Sequence, residues 1–170
     1  IKNNKIVKKD FQSLIKDQPQ LFKTFKPNYK YSYSKKVISS YKKFTNIRVI
    51  GMGGSTLGTE AIYNFLKKKI KKKITFANNL NSNADYFQRK NINLNLIISK
   101  SGNTLETIVN ANVLIKSRES NIIITEDKDS YLTNLAKKLK AEIFEHKNYV
   151  GGRYSVLSEV GMLPAELMGL

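Results

Sequence analysis

From Asn46 onward, apolar and polar residues follow two alternating rhythms. Five short apolar runs read as strands. They are Ile47-Arg48-Val49-Ile50, Ile74-Thr75-Phe76-Ala77, Leu94-Asn95-Leu96-Ile97-Ile98-Ser99, Ile122-Ile123-Ile124-Thr125 and Glu142-Ile143-Phe144. Between them apolar residues recur three and four apart, the helical period. The spacing predicts helices over 55–69, 83–90, 104–118 and 130–140, and a last one from near Ser155. Leu105, Ile108, Ala111 and Ile115 form the stripe of the third; Leu132, Leu135, Ala136 and Leu139 form that of the fourth. Strands alternating with helices imply βαβ units, and right-handed crossovers wind these into a parallel sheet. The expected fold is α/β: a doubly wound, five-stranded parallel sheet with helices on both faces, in three αβα layers.

Residues 1–45 follow neither rhythm. Phe11, Leu14 and Ile15, then Leu21, Phe22 and Phe25, suit one or two short helices, which Pro27 interrupts. This stretch reads as a helical or irregular N-terminal arm, and 46–170 as the domain. Folds of this class bind ligands beyond the C-terminal ends of their strands. The loops after Ile50, Ile98, Thr125 and Phe144 are therefore where chemistry is expected.

The first loop is Gly51-Met52-Gly53-Gly54-Ser55-Thr56-Leu57-Gly58. Its glycines admit a ligand close to the backbone, and the helix it opens presents free N–H groups to an anion. The dinucleotide fingerprint fits poorly, because Thr56 stands at its third glycine and no acid follows the next strand. The P-loop also fits poorly, because Thr59 stands where its lysine belongs. Phosphate without a nucleotide and a tight structural turn both remain open. The second loop is Ser99-Lys100-Ser101-Gly102-Asn103-Thr104-Leu105-Glu106-Thr107. Ser99, Ser101 and Thr104 bring three hydroxyls to a helix N-terminus, and Gly102 removes a side chain. A capping box is the alternative, but a cap needs one hydroxyl. Glu106 reads as a first-turn acid that complements the helix dipole. In the third loop, Val150-Gly151-Gly152-Arg153-Tyr154-Ser155, paired glycines bring a permanently charged guanidinium to the same end of the sheet. It can stabilise an oxyanion, or pair with a surface carboxylate. His146, the only histidine, can serve as an acid or base or close the fifth strand. Glu60, Asp85, Glu126 and Glu159 form no evident catalytic pair.

The 170 residues suffice for one domain with a core; 41% are hydrophobic and 25% charged. There are no cysteines, which excludes disulfides and cysteine zinc sites. No apolar run has the length a membrane helix needs, and no signal peptide is evident, although the chain opens at Ile1 without a methionine. The expected location is the cytoplasm. The formal net charge is +17, from 30 basic and 13 acidic residues. That balance raises nucleic-acid binding. The basic residues are scattered, however, and the densest run, Lys67-Lys68-Lys69-Ile70-Lys71-Lys72-Lys73, lacks interleaved aromatics and falls where a helix should end. The expectation is no nucleic-acid partner and no membrane partner. A positive field would speed encounter with an anionic substrate.

Three blocks in this order, Gly51-Met52-Gly53-Gly54-Ser55, Ser99 through Thr107, and Gly151-Gly152-Arg153-Tyr154-Ser155-Val156-Leu157-Ser158, resemble the glucose-6-phosphate isomerase family. The middle block is shared by many sugar-isomerase (SIS) domains; the third is more specific. The resemblance covers roughly 46–170. It implies an SIS-type, flavodoxin-like sheet, interconversion of glucose 6-phosphate and fructose 6-phosphate through a cis-enediolate, no metal and no cofactor, and a homodimer. Matched by position, Ser99, Ser101 and Thr104 would hold the phosphate with the backbone of Lys100. Gly54 and Ser55 would contact the sugar phosphate. Arg153, supported by Gly152, would stabilise the enediolate. Gly102 and Asn103 stand where many members carry an aromatic residue and a threonine. The family's basic glutamate and its ring-opening histidine and lysine lie beyond the arginine block. The chain also closes on an apolar helical run, 161–170, without an evident stop. The expectation is therefore a piece of a longer two-domain enzyme, with negligible activity alone. A sugar-phosphate sensor built on the same domain is the alternative. An isomerase of a heptose or amino sugar leaves the Gly-Gly-Arg-Tyr-Ser block unexplained.

Overall fold

The computed structural model describes residues 4–17, 20–80 and 94–170. The helix expected over 83–90, with Asp85, lies outside them. The chain divides into two compact units, Ile1–Lys30 and Tyr31–Leu170. The first contains helix α1 (Lys5–Asp17) and a 3-10 turn (Leu21–Phe25). Phe22 packs edge-on against Phe11, at 6.3 Å between ring centroids, and against Phe25 at 5.7 Å.

The second unit opens before the periodic region. Residues 31–45, which the pattern assigns to the arm, lie within it. Ser34 caps helix α2 (Lys35–Tyr41) by accepting the Val37 N–H, and Tyr33 and Ile38 are buried in the core. Then come β1 (Asn46–Gly51), α3 (Gly54–Leu66), β2 (Lys73–Ala77), β3 (Leu94–Ile98), α4 (Leu105–Leu114), β4 (Ser120–Thr125), α5 (Tyr131–Leu139), β5 (Glu142–Glu145) and α6 (Glu159–Met168). All five strands pair in parallel, in the order β2-β1-β3-β4-β5. The order reverses between β1 and β3, which makes their C-terminal ends the switch point where such sheets bind ligands.

Both faces of the sheet are buried, because successive strand residues point to opposite sides. Leu94, Leu96 and Ile98 face the layer that contains Ile38 of α2, Ile62 of α3 and Leu163 of α6. Ile50, Ile97 and Ile123 face Ala111 and Leu114 of α4 and Leu132 and Ala136 of α5. Each fully buried isoleucine or leucine contributes about 2 kcal/mol, so the two layers hold the sheet from both sides.

Two expectations about helices are corrected. The helix expected over 104–118 ends at Leu114, where Ile115 turns to an extended conformation. Its buried face is Thr107, Asn110, Ala111 and Leu114, not the stripe through Leu105, which is 66% exposed. The buried guanidinium of Arg48 donates to the Leu114 carbonyl at 2.7 Å and terminates the helix on that side. The last helical segment begins as a 3-10 turn (Gly152–Leu157) and becomes α-helical only after Ser158, whose hydroxyl accepts the Val160 N–H. The apolar run that closes the chain is core rather than exposed surface: Val160, Leu163, Leu167 and Met168 are buried on the sheet. Gly169, at φ 91°, ends it with a left-handed cap.

Candidate functional site

Gly51 of β1 lies beside Ile98 of β3 in the parallel register, so the first two loops leave the sheet side by side. Helix α4 begins in the second of them. Thr104 is its N-cap by position, yet no side chain caps that end. The Thr104 hydroxyl instead lies 2.8 Å from that of Ser99 and 3.5 Å from that of Ser101. Three hydroxyls thus converge at an uncapped helix N-terminus, where first-turn N–H groups and the helix dipole favour an anion. Ser99 is buried and Ser101 exposed, so the cluster runs from the C-terminal end of β3 to solvent.

The rest of that loop faces the other way. Gly102 has φ 71°, a left-handed conformation, and a Cβ there would stand 2.2 Å from the Ser130 hydroxyl. Asn103 accepts the Tyr131 N–H at 2.8 Å, at the first turn of α5. Leu132 N–H donates to the Gly102 carbonyl at 3.1 Å. Gly102 and Asn103 therefore dock the loop on α5, which Ser130 and Thr133 also open through a capping box.

The first loop meets the third. A Cβ on Gly54 would stand 2.2 Å from the Gly152 carbonyl oxygen, so the two backbones touch. The Ser155 hydroxyl, within reach of the Gly152 carbonyl at 2.7 Å and that of Gly54 at 3.3 Å, ties the joint. Ser55, Thr56 and Leu57 already donate their N–H groups to Met52 and Gly53 carbonyls, so the start of α3 is less open to an anion than that of α4. Arg153 is exposed and lines a pocket of about 150 Å³ with Gly54, Leu57, Gly58, Gly152 and Val156. Among the described residues its guanidinium has no ion-pair or hydrogen-bond partner, which leaves it available to a ligand.

Other candidates are engaged elsewhere. His146 is buried just past β5; its N–H donates to the Thr125 carbonyl, and Nδ1 lies 3.2 Å from the Lys147 carbonyl. Burial lowers its pKa, so the ring is neutral near pH 7. Glu60 accepts a hydrogen bond from Asn78, and Glu159, fully buried, accepts the Ser32 N–H. Glu126 pairs with Lys128 and lies 3.7 Å from Lys100. The hydrogen bond from Lys128 leads the causes that hold its carboxyl below the ordinary value, against opposing burial. The motif blocks could not disclose the Lys100–Glu126 pair, because its partners come from different strand ends. Among the described residues no cluster of histidine, aspartate and glutamate suits a metal ion, and no helix is long and apolar enough to cross a membrane.

A parallel sheet with this order, and with a hydroxyl-rich loop at its switch point, defines a doubly wound α/β domain of the flavodoxin-like type. Solved structures share this fold. A hypothetical protein of Thermus thermophilus superposes with a TM-score of 0.77 at 20% identity, covering 96% of this chain and 44% of that one. Tagatose-6-phosphate ketose/aldose isomerase of Escherichia coli superposes with a TM-score of 0.64 at 15% identity, covering 88% and 45%. The chain belongs to the phosphoglucose isomerase family, whose sequence profile matches residues 3–169. It is 38% identical over 154 residues to the glucose-6-phosphate isomerase of Acholeplasma laidlawii, covering 79% of this chain and 36% of that protein. It is also 38% identical over 141 residues to that of Methanocaldococcus jannaschii, covering 77% and 35%. The chain thus spans about a third of the length of these relatives.

Proposed function

We propose that this chain is the phosphate-anchoring and intermediate-stabilising part of a glucose-6-phosphate isomerase. The observation that carries the reading is the hydroxyl cluster of Ser99, Ser101 and Thr104 at the uncapped start of α4, beside a loop joint that carries Arg153, which has no partner among the described residues. The phosphate of glucose 6-phosphate or fructose 6-phosphate sits on that cluster, with the Lys100 backbone assisting. Anchoring the far end of the sugar fixes C1 and C2 and converts binding into orientation. Gly54 and Ser55 line the sugar phosphate from the first loop. Arg153, held through Gly152, stabilises the negative charge that develops when a proton leaves C2 and a cis-enediolate forms. As the resemblance to the isomerase family implies, the base that moves the proton is a glutamate beyond the arginine block; Glu60, Glu126 and Glu159 are each bonded elsewhere. The complete enzyme works as a cytoplasmic homodimer without nucleic acid, a reading supported by the family's place in sugar metabolism.

The test is a coupled isomerase assay of the complete enzyme and its Arg153→Ala variant. The expected loss of turnover is about a hundredfold or more, with KM changed far less. Equal turnover numbers reject the role of Arg153. The 170-residue chain alone binds the sugar phosphate and turns it over negligibly; robust turnover by it rejects the division of labour.

A further inference from the structure

Lys100 sits between two hydroxyls of the phosphate loop, which makes its ammonium an obvious partner for the anion. The geometry gives that ammonium another task. Nζ donates to the Asn148 carbonyl at 2.7 Å and lies 3.7 Å from the Glu126 carboxylate, with the side chain 34% exposed. The carbonyl of the same residue accepts the Glu126 N–H at 3.1 Å and the Thr125 hydroxyl at 3.4 Å. Asn148 belongs to a turn closed by Val150 N–H on the Lys147 carbonyl at 3.0 Å, and that turn runs directly into Gly151-Gly152-Arg153. The loops joined in this way leave β3 and β5, which are separated in the sheet by β4. Main-chain bonds connect them only through the end of β4, by the Glu126 N–H on the Lys100 carbonyl and the His146 N–H on the Thr125 carbonyl; the Lys100 side chain spans from one loop to the other directly.

We propose that Lys100 is a positioning residue that ties the turn launching Arg153 to the phosphate loop. Its main chain is part of the loop that receives the anion, and its ammonium is anchored to the base of the arginine loop. A charge-assisted bond to a carbonyl, backed by a carboxylate, holds that link more firmly than a neutral bond would. One residue thereby sets the spacing between the anchored end of the substrate and the cation at its reacting end. The inference rests on the roles proposed for these two loops.

The test uses amide hydrogen exchange of the ligand-free 170-residue chain, its Lys100→Met variant and its Lys100→Arg variant. In Lys100→Met the Val150 and Tyr154 amides are expected to exchange about tenfold faster. In Lys100→Arg they stay near the wild-type rate, and the core amides of Ile97 and Ile123 change in neither variant. Wild-type rates at Val150 and Tyr154 in Lys100→Met overturn the link, as does an equal rise in the core amides. A second measurement, an NMR titration with inorganic phosphate, asks whether the ammonium is itself a ligand. Ser99→Ala is expected to lose about tenfold in phosphate affinity and Lys100→Met less than about threefold, because the anion meets the Lys100 main chain rather than its ammonium. Equal losses in the two variants overturn the proposal. Failure of phosphate to bind the wild-type chain overturns the functional reading of the loop, while the exchange rates still judge the link itself.

Discussion

Gly54 and Gly152 face each other across the joint of two loops, yet the steric demand is one-sided. A methyl on Gly54 would stand 2.2 Å from the Gly152 carbonyl oxygen, and backbone cannot rotate away as a side-chain tip can. A methyl on Gly152 would meet only the Gly54 Cα, at 3.9 Å. Gly54→Ala is therefore expected to cost about 1–3 kcal/mol. Gly152→Ala is expected to stay within about 0.5 kcal/mol of wild type. Urea midpoints at unchanged m-value would measure both; the opposite ranking would show that the two loops do not meet as described. Gly102 obeys a similar steric rule. Its absent side chain makes room for Ser130, so this glycine serves the packing of the loop on α5 in addition to any approach of a ligand.

At the scale of elements, the chain's periodicity displays the sheet well and its buried polar positions poorly. All five strands stand within a few residues of where the apolar runs predict them, because a parallel sheet covered on both faces needs near-continuous apolar strands. The run at Gly152 betrays no 3-10 turn, since its residues suit either helix type. The apolar stripe of α4 misleads, because the buried face carries Thr107 and Asn110 rather than the more apolar Leu105. The polar ladder across β1, β3 and β4 was also illegible. Arg48, Asn95 and Asn121 are polar residues within or beside the apolar runs, yet all three are buried. They occupy one register row, Arg48 beside Asn95 and Asn95 beside Asn121. Asn95 donates to Asn121 and to Glu119, and Arg48 lies 3.8 Å from Glu119 as well as bonding the end of α4. Replacing Arg48 with methionine removes the cation beside the Glu119 carboxylate, which keeps only its bonds from Asn95 and the Lys116 N–H, and takes this donor from the Leu114 carbonyl in a dry setting. A loss of about 3 kcal/mol is expected, read from the urea midpoint. Stability within about 0.5 kcal/mol of wild type would mean that the ladder is ornamental.

For the molecule as a whole, the question is which part of the chain is sufficient for the site. Both hydrophobic layers, the five strands and the three loops all belong to the unit Tyr31–Leu170. In the other unit, Ile1–Lys30, α1 has no buried residue. A helix of that length without a buried apolar face gains little from packing and is marginal on propensity alone. A chain that starts at Tyr31 is therefore expected to unfold cooperatively, with a urea midpoint and m-value close to those of the 170-residue chain. It should also bind inorganic phosphate with the same affinity, because Ser99, Ser101 and Thr104 take their positions from β3, β4, α4 and α5, all within that unit. The two measurements separate two ways of being wrong. A lower midpoint with unchanged phosphate affinity would make residues 1–30 a structural support of the domain. An unchanged midpoint with weakened binding would make the first unit part of the anion's environment, and its lysines would then contribute through the field that a net charge of +17 sets up around the site.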